Sequence, residues 1–176
     1  MEAQMNINVK RIIFAILIIL NCIAIFMFSA QDAEKSSKTS GVIVNSVVDT
    51  VSTVNKKVKK ETLKNKITFY VRKLAHFSIY TLLGVWLLNE TNTFKISTLK
   101  RLIICLFFGS IYAISDEFHQ SFISGRSQEI RDVCIDTCGV LFGCVLVLLI
   151  GKIFELIKRR IKLSRSNSSI AKENRI

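Results

Sequence analysis

The sequence contains no proline, which removes one source of helix kinks. Histidine occurs only twice, as His76 and His119. They fall in separate apolar stretches without the spacing of metal ligands. Cysteine gives no metal framework either. Cys22, Cys105, Cys134, Cys138 and Cys144 all lie in apolar runs, and only Cys134 and Cys138 are close enough in sequence to share a helical face. A second pair to complete a zinc site is missing, so no metal site is expected and the cysteines read as small apolar packing residues. No internal repeat is visible, which disfavours a carrier built from inverted halves.

Acidic residues are scarce: 13 against 25 lysines and arginines, a formal net charge of +12. In a water-soluble chain that balance would raise nucleic acid as a partner. Here half of the 176 residues are hydrophobic and the mean hydropathy is +0.40, which places the chain in the membrane class. The basic residues flank apolar runs and crowd the C-terminus, the pattern of membrane orientation, so a nucleic-acid partner is not expected. The length suits one bundle and leaves no room for a second sizeable domain.

Met1–Val9 reads as a short tail. Lys10-Arg11 precede Ile12–Phe28, an apolar run broken only by Asn21. Cleavage after Ala30 would leave Phe28 at a position that needs a small residue, so the run reads as an uncleaved first span. Ser29–Ile67 is a long polar connection. Within it Val44, Val47, Val48, Val51, Val54 and Val58 recur at helical spacing before a lysine-rich stretch, which predicts an amphipathic helix between the first two spans. Phe69–Leu88 is the second apolar run, about 30 Å long as a helix and opening with Arg72, Lys73 and His76. Arg72, His76, Tyr80 and Gly84 repeat every four residues on one face. Asn89–Ser97 is a polar turn. Leu102–Ile114 is the third run and ends in Ser115-Asp116-Glu117-Phe118-His119-Gln120. Gly125 marks a turn. The fourth run extends from about Asp132 to Leu156, with Asp132, Asp136, Gly139 and Gly143 along one face. The two glycines form a small-xxx-small pattern that lets another helix approach closely. From Lys158 onward the chain is a basic tail.

Four alternating spans bring one set of polar groups to one leaflet: Arg72, Lys73 and His76 at the start of the second span, Asp116, Glu117, His119 and Gln120 at the end of the third, Asp132 and Asp136 at the start of the fourth. Lys10-Arg11, Lys100-Arg101 and the basic tail would be cytoplasmic, which makes both termini cytoplasmic and the cluster extracytoplasmic. The lysines of the long first connection oppose this orientation, and three segments outvote one. Charges in a membrane demand partners or a task. Pairing of Arg72, Lys73 or Arg126 with Asp116, Glu117, Asp132 or Asp136 would lower their cost.

Three spaced motifs carry a resemblance: Phe69-x-x-Arg72-Lys73-x-x-His76-Phe77-x-x-Tyr80-x-x-Leu83-Gly84, Ser115-Asp116-Glu117-x-His119-Gln120-x-Phe122, and Gly125-Arg126 followed by Asp132-x-x-x-Asp136-x-x-Gly139. Together with the Ser29-x-Gln31 stretch they resemble the VanZ-like family of small bacterial membrane proteins, from about Phe28 to Gly143. Ser124 stands where that family usually has proline before the Gly-Arg pair. The resemblance implies a multi-pass cell-membrane protein, and the founding member's association with low-level teicoplanin resistance.

The resulting expectation is an all-α integral membrane bundle of four transmembrane helices plus the amphipathic helix. It divides into residues 1–28 (tail and first span), 29–157 (the VanZ-like region) and 158–176 (basic tail). Its expected partner is a cell-envelope lipid or lipid-linked precursor. Arg72, Lys73 and Arg126 would hold the anionic head group. His76, His119, Asp116 and Glu117 would supply proton-transfer chemistry. Asp132, Asp136 and Gln120 would orient these groups, and the acids also suit a hard cation through oxygen. No nucleophile arrangement stands out, so the chain is not assigned as an enzyme. The alternative is a structural or interaction protein whose ion pairs only hold the bundle together.

Overall fold

The computed structural model describes residues 2–30, 41, 44, 45, 48, 60–123 and 129–173. Those residues fold into four long helices: α1 (Glu2–Ser29), α2 (Lys60–Thr91), α3 (Thr98–Gln120) and α4 (Ile130–Glu173). The two tails read from the sequence are mostly helical. α1 begins at Glu2 and α4 continues to Glu173, because neither end holds a proline or glycine to stop the helix. Of the expected amphipathic helix only Gly41, Val44, Asn45 and Val48 are described, with Val44 and Val48 buried. Val47, Val51, Val54 and Val58 lie outside the described residues, as do Ser124, Gly125 and Arg126.

Three helices contain stretches long and apolar enough to cross a membrane: Asn6–Ser29, Thr98–Gln120 and Ile130–Ser164. Their large apolar side chains point outward, among them Ile16, Phe107 and Phe154, as lipid contact requires. α2 is the least apolar at its start, where Lys60, Lys64, Lys66, Arg72 and Lys73 crowd its first half. It touches each of the others, packing on α1 and α3 and meeting α4 through Gly84.

The chain forms two compact units, Met1–Cys144 and Val145–Ile176. The first holds the core, a set of stripes at helical spacing: Asn21, Ile25 and Ser29 on α1; Tyr80, Leu83, Gly84 and Leu88 on α2; Cys105, Gly109, Ala113 and Asp116 on α3; Asp136, Gly139, Val140 and Gly143 on α4. Small residues dominate where α4 meets its neighbours. Val140 lies with its backbone against Gly84 and its side chain against Gly109, and Gly139 and Gly143 face the backbone of Phe77 and Thr81. The two glycines read as a close-approach pattern therefore pack on α2. Cys105 and Cys144 are buried between helices, whereas Cys134 and Cys138 are exposed. The second unit is helical to Glu173, with Ile150, Ile153, Phe154 and Ile157 exposed along it.

The turn between α2 and α3 is fixed by arginines. Ser97 caps α3, its hydroxyl accepting from the Lys100 backbone N–H. Arg101 donates through Nε to the Ile96 carbonyl at 3.0 Å. Arg11 of α1 donates to the Thr93 hydroxyl at 2.9 Å and covers the ring of Phe94. Two of the basic segments read as sharing one side of the membrane thus meet at one end of the bundle.

Candidate functional site

The polar cluster occupies the other end, where α1 and α3 finish and α4 begins. α3 presents Asp116 and Gln120, one turn apart, to the interior. α4 presents Asp132 and Asp136 in the same manner, and α2 presents Arg72, Lys73 and His76. Asp116 and Asp136 are almost fully buried, at 4% and 3% exposure.

Asp116 is held by two donors. The Ser29 hydroxyl donates to its Oδ2 at 2.8 Å, and Gln120 Nε2 donates to the same oxygen at 3.0 Å. Gln120 Nε2 also lies 3.3 Å from the Ser29 hydroxyl oxygen. Gln120 thus bonds Asp116 from one turn further along α3. In the sequence Ser29 stands out only as part of the Ser29-x-Gln31 stretch. Its partnership with an acid 87 residues away leaves no local signal in the sequence.

Lys73 forms an ion pair with Asp132. Across the next turn of the same two helices His76 Nδ1 faces Asp136 Oδ2 at 3.8 Å, beyond direct hydrogen-bond reach. Arg72 makes no ion pair among the described residues. It is half-buried and, with Lys73, His76, Gln120, Asp132, Ile135 and Asp136, lines a cavity of about 10 Å³, room for one water molecule. Of the pairings expected from sequence, Lys73 with Asp132 forms, and any made by Arg126 fall outside the described residues.

Glu117 and His119 face elsewhere. Glu117 Oε1 accepts from the backbone N–H of Glu129 at 2.6 Å, which fixes the approach to α4. Beside it the Arg131 guanidinium donates to the Glu129 carboxylate and holds that carboxyl below its usual range. The His119 imidazole lies on the ring of Phe26, with centroids 4.4 Å apart, and its buried Nδ1 has no hydrogen-bond partner among the described residues. The two histidines thus have different surroundings, His76 among carboxylates and His119 against an aromatic ring of α1.

The acids and His76 do come together. Ligand atoms of His76, Asp116 and Asp136, one from each of three helices, lie within 4.8 Å of one another. Spacing along the chain gave no sign of this group, because its members are brought close only by helix packing. Tyr80, one turn beyond His76 on α2, is fully buried, its hydroxyl has no hydrogen-bond partner among the described residues, and it interacts electrostatically with both aspartates.

Neither a curated protein nor a solved structure matches the chain. A family pattern does: three membrane-compatible helices, a polar end built from α2, α3 and α4, and a match over residues 14–151 show that the chain belongs to the VanZ/LLP1 family.

Proposed function

We propose that this VanZ-family membrane protein binds the phosphate-bearing head group of a cell-envelope lipid or lipid-linked precursor. Arg72 is the residue that carries this reading. Its half-buried guanidinium lines the polar cavity and has no ion-pair partner among the described residues, while neighbouring Lys73 is committed to Asp132. A guanidinium matches phosphate oxygens two at a time. The cavity is too small for a head group, so the phosphate would sit at its mouth. Arg126 remains a proposed second contact. Binding is favoured over catalysis, since among the described residues neither histidine hydrogen-bonds a serine or cysteine. Proton transfer by His76, His119, Asp116 and Glu117 would enter only if the lipid is also modified.

In this reading α2 crosses as a fourth span, its polar first half shielded by three neighbours. The end carrying Arg11 and Arg101 faces the cytoplasm, by the positive-inside rule, and the Asp116 end faces out. The family resemblance supplies teicoplanin resistance as a cellular readout.

The test is binding of a polyprenyl phosphate and of the matching neutral alcohol to the purified protein in nanodiscs. Phosphate-dependent binding that falls roughly tenfold in Arg72→Ala and partly returns in Arg72→Lys supports the proposal. Equal binding of phosphate and alcohol, or no effect of Arg72→Ala, defeats it. Deletion and complementation, scored for teicoplanin and other envelope antibiotics, place the result in the cell.

The second reading is purely structural. It draws on the Lys73–Asp132 pair and the Ser29–Asp116–Gln120 bonds, each of which ties two helices, and on the Glu117–Glu129 contact, which ties α3 to the residue before α4. It requires that loss of function always track loss of folded protein.

A further inference from the structure

We propose that His76, Asp116 and Asp136 form a binding site for one divalent transition-metal ion of the zinc or manganese type. This goes beyond head-group binding and does not depend on it.

The charge balance motivates the site. Two carboxylates, both almost completely removed from solvent, share one half-buried imidazole. Lys73 is spent on Asp132, and Arg72, which lines the same cavity, forms no ion pair with either aspartate among the described residues. Two like charges at this separation disfavour each other's ionisation, and a divalent cation between them removes that cost.

The geometry fits a single ion. The three donor atoms lie within 4.8 Å of one another, with 3.8 Å between His76 Nδ1 and Asp136 Oδ2. Around an ion bound at about 2.0–2.2 Å, neighbouring donors sit about 3–3.5 Å apart, so small side-chain rotations complete the set. The cavity of about 10 Å³ lined by His76 and Asp136 has the volume of one water or ion.

Two further features point to a ligand. The Tyr80 hydroxyl is wholly buried, lacks a hydrogen-bond partner among the described residues and feels both aspartates. A metal-bound water would give it a partner. Asp116 is also oriented as metal-binding carboxylates are, by outer hydrogen bonds. Both donors, Ser29 and Gln120, use Oδ2 and leave Oδ1 outside those two bonds. One imidazole with two carboxylates suits zinc or manganese better than magnesium or calcium, which take oxygen almost exclusively.

The experiment uses the full chain purified in detergent with a tag free of histidine. The protein is incubated with Zn²⁺ or Mn²⁺, desalted, and its metal content measured against protein concentration. Wild type should retain about one ion per chain, and Asp136→Asn and His76→Gln should lower the affinity at least roughly tenfold. Glu90→Gln, near the opposite end of α2 from His76, should bind as wild type does. Failure of wild type to retain metal overturns the site. Equal binding by wild type, Asp136→Asn and His76→Gln also overturns it, and would point to sites such as Cys134 and Cys138.

A buried Asp→Asn change can unfold a bundle, so a second readout uses wild type alone. Cobalt(II) bound to nitrogen and oxygen gives d–d absorption without a thiolate charge-transfer band. That spectrum supports the site; a thiolate band, or no cobalt spectrum, overturns it. Metal retention without phosphate-lipid binding, or the reverse, separates this proposal from the head-group reading.

Discussion

Gly84 of α2 lies against the main chain of Val140 in α4, with no room for a methyl group between them. The obstruction is backbone, which cannot rotate out of the way as a side chain can. Gly84→Ala should therefore push the helices apart and destabilise the bundle by about 1–3 kcal/mol, the usual cost of overpacking. Gly143→Ala, which would drive a methyl into the Thr81 carbonyl, should act similarly. Gly151→Ala has nothing within 4 Å and serves as the control. SDS titration of the purified variants, followed by helical signal, measures the order; equal stability of all three would contradict this packing.

The Lys73–Asp132 pair separates structure from function. Each side chain keeps 18% exposure, so breaking the pair should cost less than the roughly 3–5 kcal/mol of a fully buried one. Lys73→Asp and Asp132→Lys should each lower the level of folded protein, and the double exchange should restore it. If the restored protein also regains its cellular phenotype, the pair serves the fold. If folding returns and the phenotype does not, the lysine or the acid has a task at the cavity.

Much of this arrangement could be read along the chain, since helix periodicity reports which residues share a face. Tyr80 and Gly84 on one stripe, Gly109 and Asp116 on another, and Asp136, Gly139 and Gly143 on a third are all buried as that spacing implies. The approach of Asp132 to the basic start of α2 was expected from four alternating spans; the pair with Lys73 forms, while three helices are apolar enough to cross a membrane and α2 is not among them. What periodicity cannot supply is rotation and partner choice. Nothing local says that Arg72 stays unpaired while Lys73 takes Asp132, that His119 turns to Phe26, or that His76 meets two acids from other helices. The helices run on through both polar tails, to Glu2 and Glu173, because polar composition does not by itself stop a helix; a proline or glycine does.

The Ser29–Asp116 bond gives a prediction that compares two contacts of the same helix pair. Ser29 donates to a buried carboxylate, whereas Tyr112, one turn earlier on α3, donates at 2.7 Å to the Cys22 carbonyl, which belongs to a helix backbone. A bond to a charged group is worth roughly 1.5–3 kcal/mol, a bond between neutral groups nearer 1. Measured hydrogen bonds within membrane bundles are weaker still, about 0.6 kcal/mol on average. Ser29→Ala should therefore destabilise by about 1–2 kcal/mol, as Asp116 is left with one donor, and Tyr112→Phe by less than about 1 kcal/mol. SDS titration of both variants checks the ranking. Ser29→Ala should in addition loosen the proposed metal, because a carboxylate that has lost an outer donor is less well oriented. Tyr112→Phe should not, since its hydroxyl bonds to the backbone of α1 rather than to Asp116. A Tyr112→Phe loss as large as that of Ser29→Ala, with no difference in metal retention, would mean that Asp116 draws no special support from α1.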